Sequence, residues 1–141
     1  MEKITAILDR KKTLFNKISP ASSVNDALCR MTSRHMECLI VIDEEENFLG
    51  LLTEHEIATQ TLCANQSLAK TRVREIMNSR LPFADISDTV EHCMGLMKQF
   101  HTRYIPVFED RDFRGIISSD DILQEIFMSV QNAPMGKREL A

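Results

Sequence analysis

The sequence predicts an α+β fold made of two copies of one unit, in which a helix is followed by two strands and a second helix. Apolar residues at Val24, Ala27, Leu28 and Met31 recur three and four positions apart, and an equivalent stripe begins at Val90. This spacing is typical of amphipathic helices. Two predicted strand pairs follow the stripes, CLIVI with FLGLL and RYIPVF with FRGII, each joined by a short acidic turn. The same order of elements in both halves indicates a duplication.

The two copies are separated by a nearly constant distance along the chain. The helical stripes that begin at Val24 and Val90 are 66 residues apart, and the segments FLGLLTEHEI and FRGIISSDDI, which begin at Phe48 and Phe113, are 65 apart. One additional residue in the first hairpin turn explains the change. Because this period is longer than that of solenoid repeats, two copies favour a pseudo-twofold pair.

Composition and pattern divide the chain into five predicted segments. These are a basic N-terminal helical arm (1–14), a first repeat (15–64), a polar linker (65–72), a second repeat (73–130) and a flexible tail (131–141). Residues that accept backbone hydrogen bonds are expected to begin the helices: Ser22 or Ser23 and Ser87 or Asp88 for the first helix of each repeat, and Thr53 and Ser118 for the second.

Composition excludes several classes of protein. The chain has 141 residues, of which 43% are hydrophobic and 27% charged, as in folded globular proteins. It has no apolar run of the ~20 residues that a membrane span needs and no signal-peptide pattern at its start, so we expect a cytoplasmic protein. A net charge of −4 gives no reason to expect nucleic-acid binding. Four widely spaced cysteines predict reduced core thiols.

The hydroxyl and acid that follow each Gly-containing strand allow two interpretations. Ser118 with Asp121, and Thr53 with Glu56, have the spacing of a capping box, in which the acid and the hydroxyl satisfy backbone N–H groups at a helix start. Alternatively, the helix N-terminus and the hydroxyl bind a phosphate while the carboxylate binds the two hydroxyls of a ribose. One carboxylate can serve both purposes in different states.

Pro106, in the strand RYIPVF, also has two readings. Proline lacks an N–H group, so it occurs at a sheet edge or where the strand backbone must stay open. A strand backbone that makes no ladder hydrogen bond and lies beside an apolar surface suits a flat nucleobase.

The order of these motifs resembles a known family. A repeated unit of a helix, a first strand, and a second strand with Gly and two aliphatic residues before Ser/Thr-x-x-Asp is similar to a tandem pair of cystathionine-β-synthase (CBS) domains, the Bateman module. The second copy has the hydrophobic-Pro-Val of the first strand and the Asp, and the first copy has Glu at the position of the Asp. The segments VREIMNSR and DTVEHCMGLMKQFHTRYIPVFED resemble stand-alone bacterial pairs in particular. The likeness covers residues 15–127, nearly the whole chain.

The resemblance implies a ligand and an assembly. Such modules bind an adenosine-containing ligand (AMP, ATP, NADH or S-adenosylmethionine) in the cleft between the repeats, and they generally form flat homodimers. Carried onto this chain, the resemblance makes Asp121 the ribose ligand and Ser118 a phosphate neighbour. It places Ile105, Pro106 and residues 78–83 around the adenine. It also implies that Arg103 contacts the phosphate. Alternatively, Arg103 is a strand residue whose side chain simply extends into solvent.

Three departures from the family pattern affect the expected sites. Glu56 stands where the first repeat usually has Asp, and His55 replaces a frequent arginine, so Thr53 and Glu56 are weaker ligand candidates than their second-repeat counterparts. Asp120 stands where glycine is frequent and adds a negative charge beside the predicted phosphate. It disfavours polyphosphates unless it points outward or a cation bridges it.

The sequence does not predict an enzyme or a metal site. The four histidines form no metal-binding pair at helical spacing, and no nucleophile is accompanied by a base. A ligand-sensing regulatory module that signals through an effector protein is therefore the leading hypothesis, with no cofactor required. A structural CBS pair without a ligand is the second, and a basic-arm interaction protein is the third.

Overall fold

The computed structural model describes residues 3–11 and 16–131, so the predicted tail lies outside the described residues except for Gln131. These residues form two compact units. We call residues 16–81 the N-unit, and residues 3–11 together with 82–131 the C-unit. The elements are α1 (Ile4–Lys11), β1 (Lys17–Ile18), α2 (Val24–Arg34), β2 (Cys38–Ile42), β3 (Phe48–Thr53), α3 (Glu54–Ile57, continued by a π-helical turn, Ala58–Leu62), α4 (Val73–Ile76), β4 (Ala84–Asp85), α5 (Val90–Phe100), β5 (Tyr104–Glu109), β6 (Asp112–Ser118) and α6 (Ser119–Gln131).

The N-unit contains a three-stranded sheet in the order β1-β2-β3. β1 is parallel to β2, and β2 is antiparallel to β3. The predicted cap of α2 is confirmed at Ser23, whose hydroxyl accepts a hydrogen bond from the Asp26 N–H at 3.1 Å. The stripe of α2 packs Val24, Ala27 and Met31 against the sheet core. The predicted mixture of helices and small sheets is therefore confirmed in this unit.

The C-unit repeats this architecture with the order β4-β5-β6. The cap predicted for its first helix was wrong: Thr89, not Ser87 or Asp88, begins α5 and accepts the His92 N–H at 3.2 Å. Asp88 instead accepts the Asp85 N–H at 2.8 Å in the preceding turn. Because that turn uses the Asp88 carboxylate, the next hydroxyl along the chain caps the helix.

Pro106 lies in the middle strand of its sheet, so its interpretation as a sheet-edge residue was wrong. The equivalent residue of the N-unit, Ile40, donates its N–H to the Asn16 carbonyl at 2.7 Å. Proline cannot make that bond. The pairing of β5 with β4 accordingly begins one residue later, at Val107, which leaves the backbone open at Pro106.

Each unit also contains the helix that precedes the other repeat in the chain. α1 belongs to the C-unit, where Ile4 and Ile7 are buried in the core and the Ile4 N–H donates to the Asp88 carbonyl at 3.2 Å. α4 occupies the equivalent place in the N-unit, where the Val73 N–H donates to the Ser22 carbonyl at 2.8 Å. The short helix that precedes each repeat in the chain therefore packs with the other repeat.

Of the four cysteines predicted to be core thiols, only Cys93 is fully buried. Cys29 and Cys63 are exposed, and Cys38 is half-buried. Cys29 lies on the exposed face of α2 and Cys63 in the turn that follows the π-helical segment, so sequence pattern alone misplaced them.

Candidate functional site

The start of α6 carries a complete capping box. The Ser118 N–H donates to Asp121 Oδ2 at 2.9 Å, and the Asp121 N–H donates to Ser118 Oγ at 3.1 Å. The capping interpretation of this motif is therefore observed. The Asp121 side chain is largely enclosed, with 17% of its surface exposed. Its other oxygen, Oδ1, has no hydrogen bond to any residue that the structure describes.

Lys11 also lies at this site, which was not predicted from the sequence. Its ammonium lies 2.9 Å from Asp121 Oδ2 and donates to the Ile116 carbonyl at 2.8 Å. Its neighbour Arg10 pairs with the carboxylate of Glu125, one helical turn beyond Asp121. The signal in the sequence was the basic end of a short helix, but only the tertiary structure shows that this end reaches α6.

A pocket of about 290 Å³ lies between α1 and α6 of the C-unit. Its walls include Ile7, Arg10, Lys11, Asp121, Gln124 and Glu125. Arg10 is paired with Glu125 and Lys11 with Asp121, so the walls are polar but their charges largely cancel.

Arg103 and Asp120 lie beside the start of α6 and are exposed. Their charged groups are 3.9 Å apart, and each side chain is 66% exposed. The Arg103 carbonyl accepts the Ser119 N–H at 2.9 Å, which holds the strand end against the helix start. An ion pair at this exposure contributes little to stability. Arg103 therefore offsets the extra charge of Asp120, which points outward.

The residues predicted to enclose an adenine are distributed over both units. Ile105 is buried in the core of the C-unit, and Pro106 is also fully buried. Phe83 is exposed and packs edge-to-face on Phe108, with ring centroids 5.7 Å apart. Asn78 belongs to the N-unit, where it pairs with Leu51. The exposed face of Phe83 offers an aromatic surface in the C-unit on which a flat ring can stack.

The equivalent motif of the N-unit is a cap with a different set of contacts. Glu56 Oε1 accepts the Thr53 N–H at 2.8 Å and the Thr53 hydroxyl at 2.5 Å. A pocket of about 590 Å³ beside it includes His55, Glu56, Glu75, Asn78 and Arg80 in its walls. Among the described residues Glu56 has no ion pair, so the two motif acids differ in their surroundings.

Within the described residues, no group of three or more His, Cys, Asp or Glu side chains is placed to hold a metal ion. None of the described helices has the length and apolar character needed to cross a membrane.

Comparison with known proteins assigns the chain to a family. The CBS domain family matches residues 15–60 and 73–127, once in each repeat. The chain belongs to the CBS-domain family. A crystal structure of a CBS domain superposes with a TM-score of 0.83 at 27% identity, over 90% of this chain and 99% of that one. A CBS-domain protein of Burkholderia ambifaria MC40-6 that is assigned to signal transduction superposes with a TM-score of 0.81 at 26% identity, over 94% and 98% of the two chains.

Sequence relatives include proteins of similar and of greater length. CBS domain-containing protein YhcV of Bacillus subtilis is 24% identical over 119 residues, which cover 84% of each protein. The chain spans only about a third of an uncharacterized Methanocaldococcus jannaschii protein that is 25% identical to it over 136 residues. The predicted tandem CBS pair is therefore confirmed.

Proposed function

We propose that this CBS pair is a regulatory module that binds an adenosine-containing ligand at Asp121 and signals through an effector protein. The observation that carries the proposal is the Asp121 carboxylate, which is largely enclosed at the start of α6 and has one oxygen without a partner in the described part of the chain. A carboxylate with a free oxygen accepts hydrogen bonds from the adjacent hydroxyls of a ribose. The same carboxylate is the one that the family resemblance assigns to the ribose.

The groups around Asp121 fit the remainder of such a ligand. Ser118 presents its hydroxyl at the N-terminus of a 13-residue helix, where the backbone dipole favours a phosphate. Arg103, which is exposed and only loosely paired with Asp120, is free to turn toward that phosphate. Thr53 and Glu56 form the corresponding pair in the N-unit, where we propose that Glu56 serves chiefly as a cap.

Binding without catalysis is part of the proposal. A carboxylate that caps a helix and pairs with lysine is held in place as an acceptor, and neither a histidine nor a thiol lies among its described contacts. Adenine nucleotides incubated with the protein should therefore remain chemically unchanged. Turnover that disappears in Asp121→Ala would contradict a purely regulatory role.

We further propose that the module acts as a homodimer. α5 and α6 expose a set of large apolar side chains: Met94, Phe100, Leu123, Ile126, Phe127 and Val130. A groove of about 370 Å³ between the two helices includes Met94, Leu123 and Ile126 in its walls. A contiguous apolar surface of this kind is unfavourable in water and favours a partner. A second copy presents the same helices, which makes the contact self-complementary.

Titration calorimetry with adenosine, AMP, ATP, NADH and S-adenosylmethionine tests the ligand. Asp121→Asn keeps the size of the side chain and removes its charge, so it should weaken binding by about 1.5–3 kcal/mol, the contribution of a charged hydrogen bond. Glu56→Gln is the matched control and should leave the affinity nearly unchanged, because the amide oxygen still accepts the Thr53 N–H. Equal losses in both variants would contradict the assignment to Asp121. Asp120→Gly should favour ATP relative to adenosine, since it removes one negative charge.

The second candidate function is a structural pair without a small-molecule ligand. The complete capping box at Ser118 and Asp121 supports it, because a cap alone explains both residues. Absence of binding by the native protein to all five ligands would favour this function.

A further inference from the structure

The contact between α1 and α6 plays no part in the ligand binding proposed above. Lys11 lies 2.9 Å from Asp121 Oδ2, and the same oxygen already accepts the Ser118 N–H at 2.9 Å. A carboxylate oxygen offers about two lone-pair directions. Both directions of Oδ2 are therefore occupied from within the protein.

A ribose diol binds a carboxylate through both oxygens, one hydroxyl to each. Asp121 Oδ1 is open to the first hydroxyl, but Oδ2 can accept the second only when one of its present donors leaves. The Ser118 N–H is fixed by the backbone at the helix start, whereas the Lys11 ammonium is carried on a flexible side chain that is 25% exposed. Lys11 is therefore the donor that the ligand displaces.

We propose that Lys11 is an intramolecular latch that competes with the ligand for Asp121 and thereby couples ligand binding to the end of α1. The inference rests on the proposed function, because it concerns the same carboxylate. Lys11 belongs to a different part of the chain from the proposed ligand site. When the ligand replaces the contact of Lys11 with Asp121, the last turn of α1 loses one of its two ionic contacts to α6. The second contact, from Arg10 to Glu125, and the buried residues Ile4 and Ile7 keep the helix in place.

The position of Lys11 explains why this contact is selective for the C-unit. The Lys11 ammonium also donates to the Ile116 carbonyl at 2.8 Å, so the side chain is directed to the strand that leads into the capping box. In the N-unit, the corresponding strand residue Leu51 pairs through its backbone with Asn78, and no lysine reaches Glu56 among the described residues. The latch is therefore a property of one of the two motifs.

Calorimetric titration of the full chain with adenosine tests the latch, because adenosine has the diol but no phosphate that Lys11 can attract. Lys11→Met removes the charge at similar length and should tighten adenosine binding about fivefold, the scale of a partly exposed ion pair. Lys11→Gln is a second variant that retains a donor for the Ile116 carbonyl, and it should change the affinity in the same direction. Lys3→Met is the matched control, since Lys3 contacts the Ser87 carbonyl and not Asp121.

Hydrogen exchange supplies a readout that does not depend on affinity. Adenosine should accelerate amide exchange in the last turn of α1 in the native protein, and Lys11→Met should show the faster exchange without adenosine. Unchanged affinity and exchange in both Lys11 variants would overturn the latch but not the proposed function. Weaker adenosine binding in both variants would make Lys11 a ligand contact and would also overturn the latch. Absence of adenosine binding in the native protein and in all variants would overturn the latch together with the adenosine site.

Discussion

Leu51 and Asn78 hydrogen-bond to each other twice through their backbones. The Leu51 N–H donates to the Asn78 carbonyl at 3.0 Å, and the Asn78 N–H donates to the Leu51 carbonyl at 2.8 Å. This bridge joins the segment after α4 to β3, although the two residues are about 27 positions apart in the chain. It requires a very close approach of two backbones, and the residue beside it, Gly50, has no side chain.

We predict that Gly50→Ala destabilises the protein by about 1–3 kcal/mol, the usual cost of forcing an additional methyl group into a packed site. A Cβ atom at residue 50 would lie 2.7 Å from the Asn78 carbonyl oxygen. Thermal unfolding measures the effect. Gly95→Ala is the control, because a Cβ atom in the middle of α5 meets no neighbour within 4 Å. That change should raise stability by about 0.5–1 kcal/mol through helix propensity, and equal melting temperatures for the two variants would contradict the prediction.

The pair formed by Arg10 and Glu125 predicts a second effect on stability. The Glu125 carboxylate is buried, with 7% of the residue exposed, so removal of its partner leaves a charge in a poorly solvated place. Arg10→Met should lower the free energy of unfolding by about 2–3 kcal/mol, somewhat less than for a fully buried pair because Arg10 is half-exposed. Urea unfolding measures it. The double variant with Glu125→Leu should recover much of the loss, and a double variant no more stable than Arg10→Met alone would refute the explanation.

Cysteine reactivity should separate two exposed thiols from a buried one. Cys29 and Cys63 are exposed, whereas burial, with a smaller effect of the Asp88 charge, raises the pKa of Cys93 to about 11. Because only the thiolate reacts, Cys93 should stay protonated and unmodified at pH 8 while the other two are alkylated. Mass spectrometry after brief treatment with iodoacetamide locates the modified residues. Unfolding in urea should expose Cys93, and rapid alkylation of Cys93 in the native state would contradict its burial.

The proposed homodimer predicts the effect of a charge on its apolar face. Phe127 is 62% exposed on α6, so Phe127→Asp places a carboxylate in the proposed contact and should shift the protein to a monomer at micromolar concentration. Sedimentation velocity measures the shift. Leu62→Asp is the control because Leu62 is 60% exposed and belongs to neither α5 nor α6 but to the π-helical turn of the N-unit. A native protein that sediments as a monomer at all concentrations would refute the dimer.

The sequence was sufficient for the repeated architecture because local patterns specify it. The stripe of α2 and the alternation of helix and strand pairs depend on residues close in the chain, and Ser23 caps its helix as the pattern predicted. The same locality explains the capping box at Ser118 and Asp121, whose partners are three residues apart. It also explains one error: several adjacent residues at 87–89 are suitable caps, and the turn made by Asp85 and Asp88 selects Thr89.

Tertiary structure alone determined which helix accompanies which repeat. The sequence places α1 directly before the first repeat, but Ile4 and Ile7 are buried in the C-unit, and Lys11 reaches Asp121 across more than a hundred residues of chain. No local pattern encodes such a contact, because a short amphipathic helix can bury its apolar face against either of two similar repeats. The choice depends on the fit of side chains that are distant in the chain, with Lys11 beside Asp121 and Arg10 beside Glu125. The duplicated elements are thus a local property of the sequence, whereas the different surroundings of Asp121 and Glu56 arise only when the chain is folded.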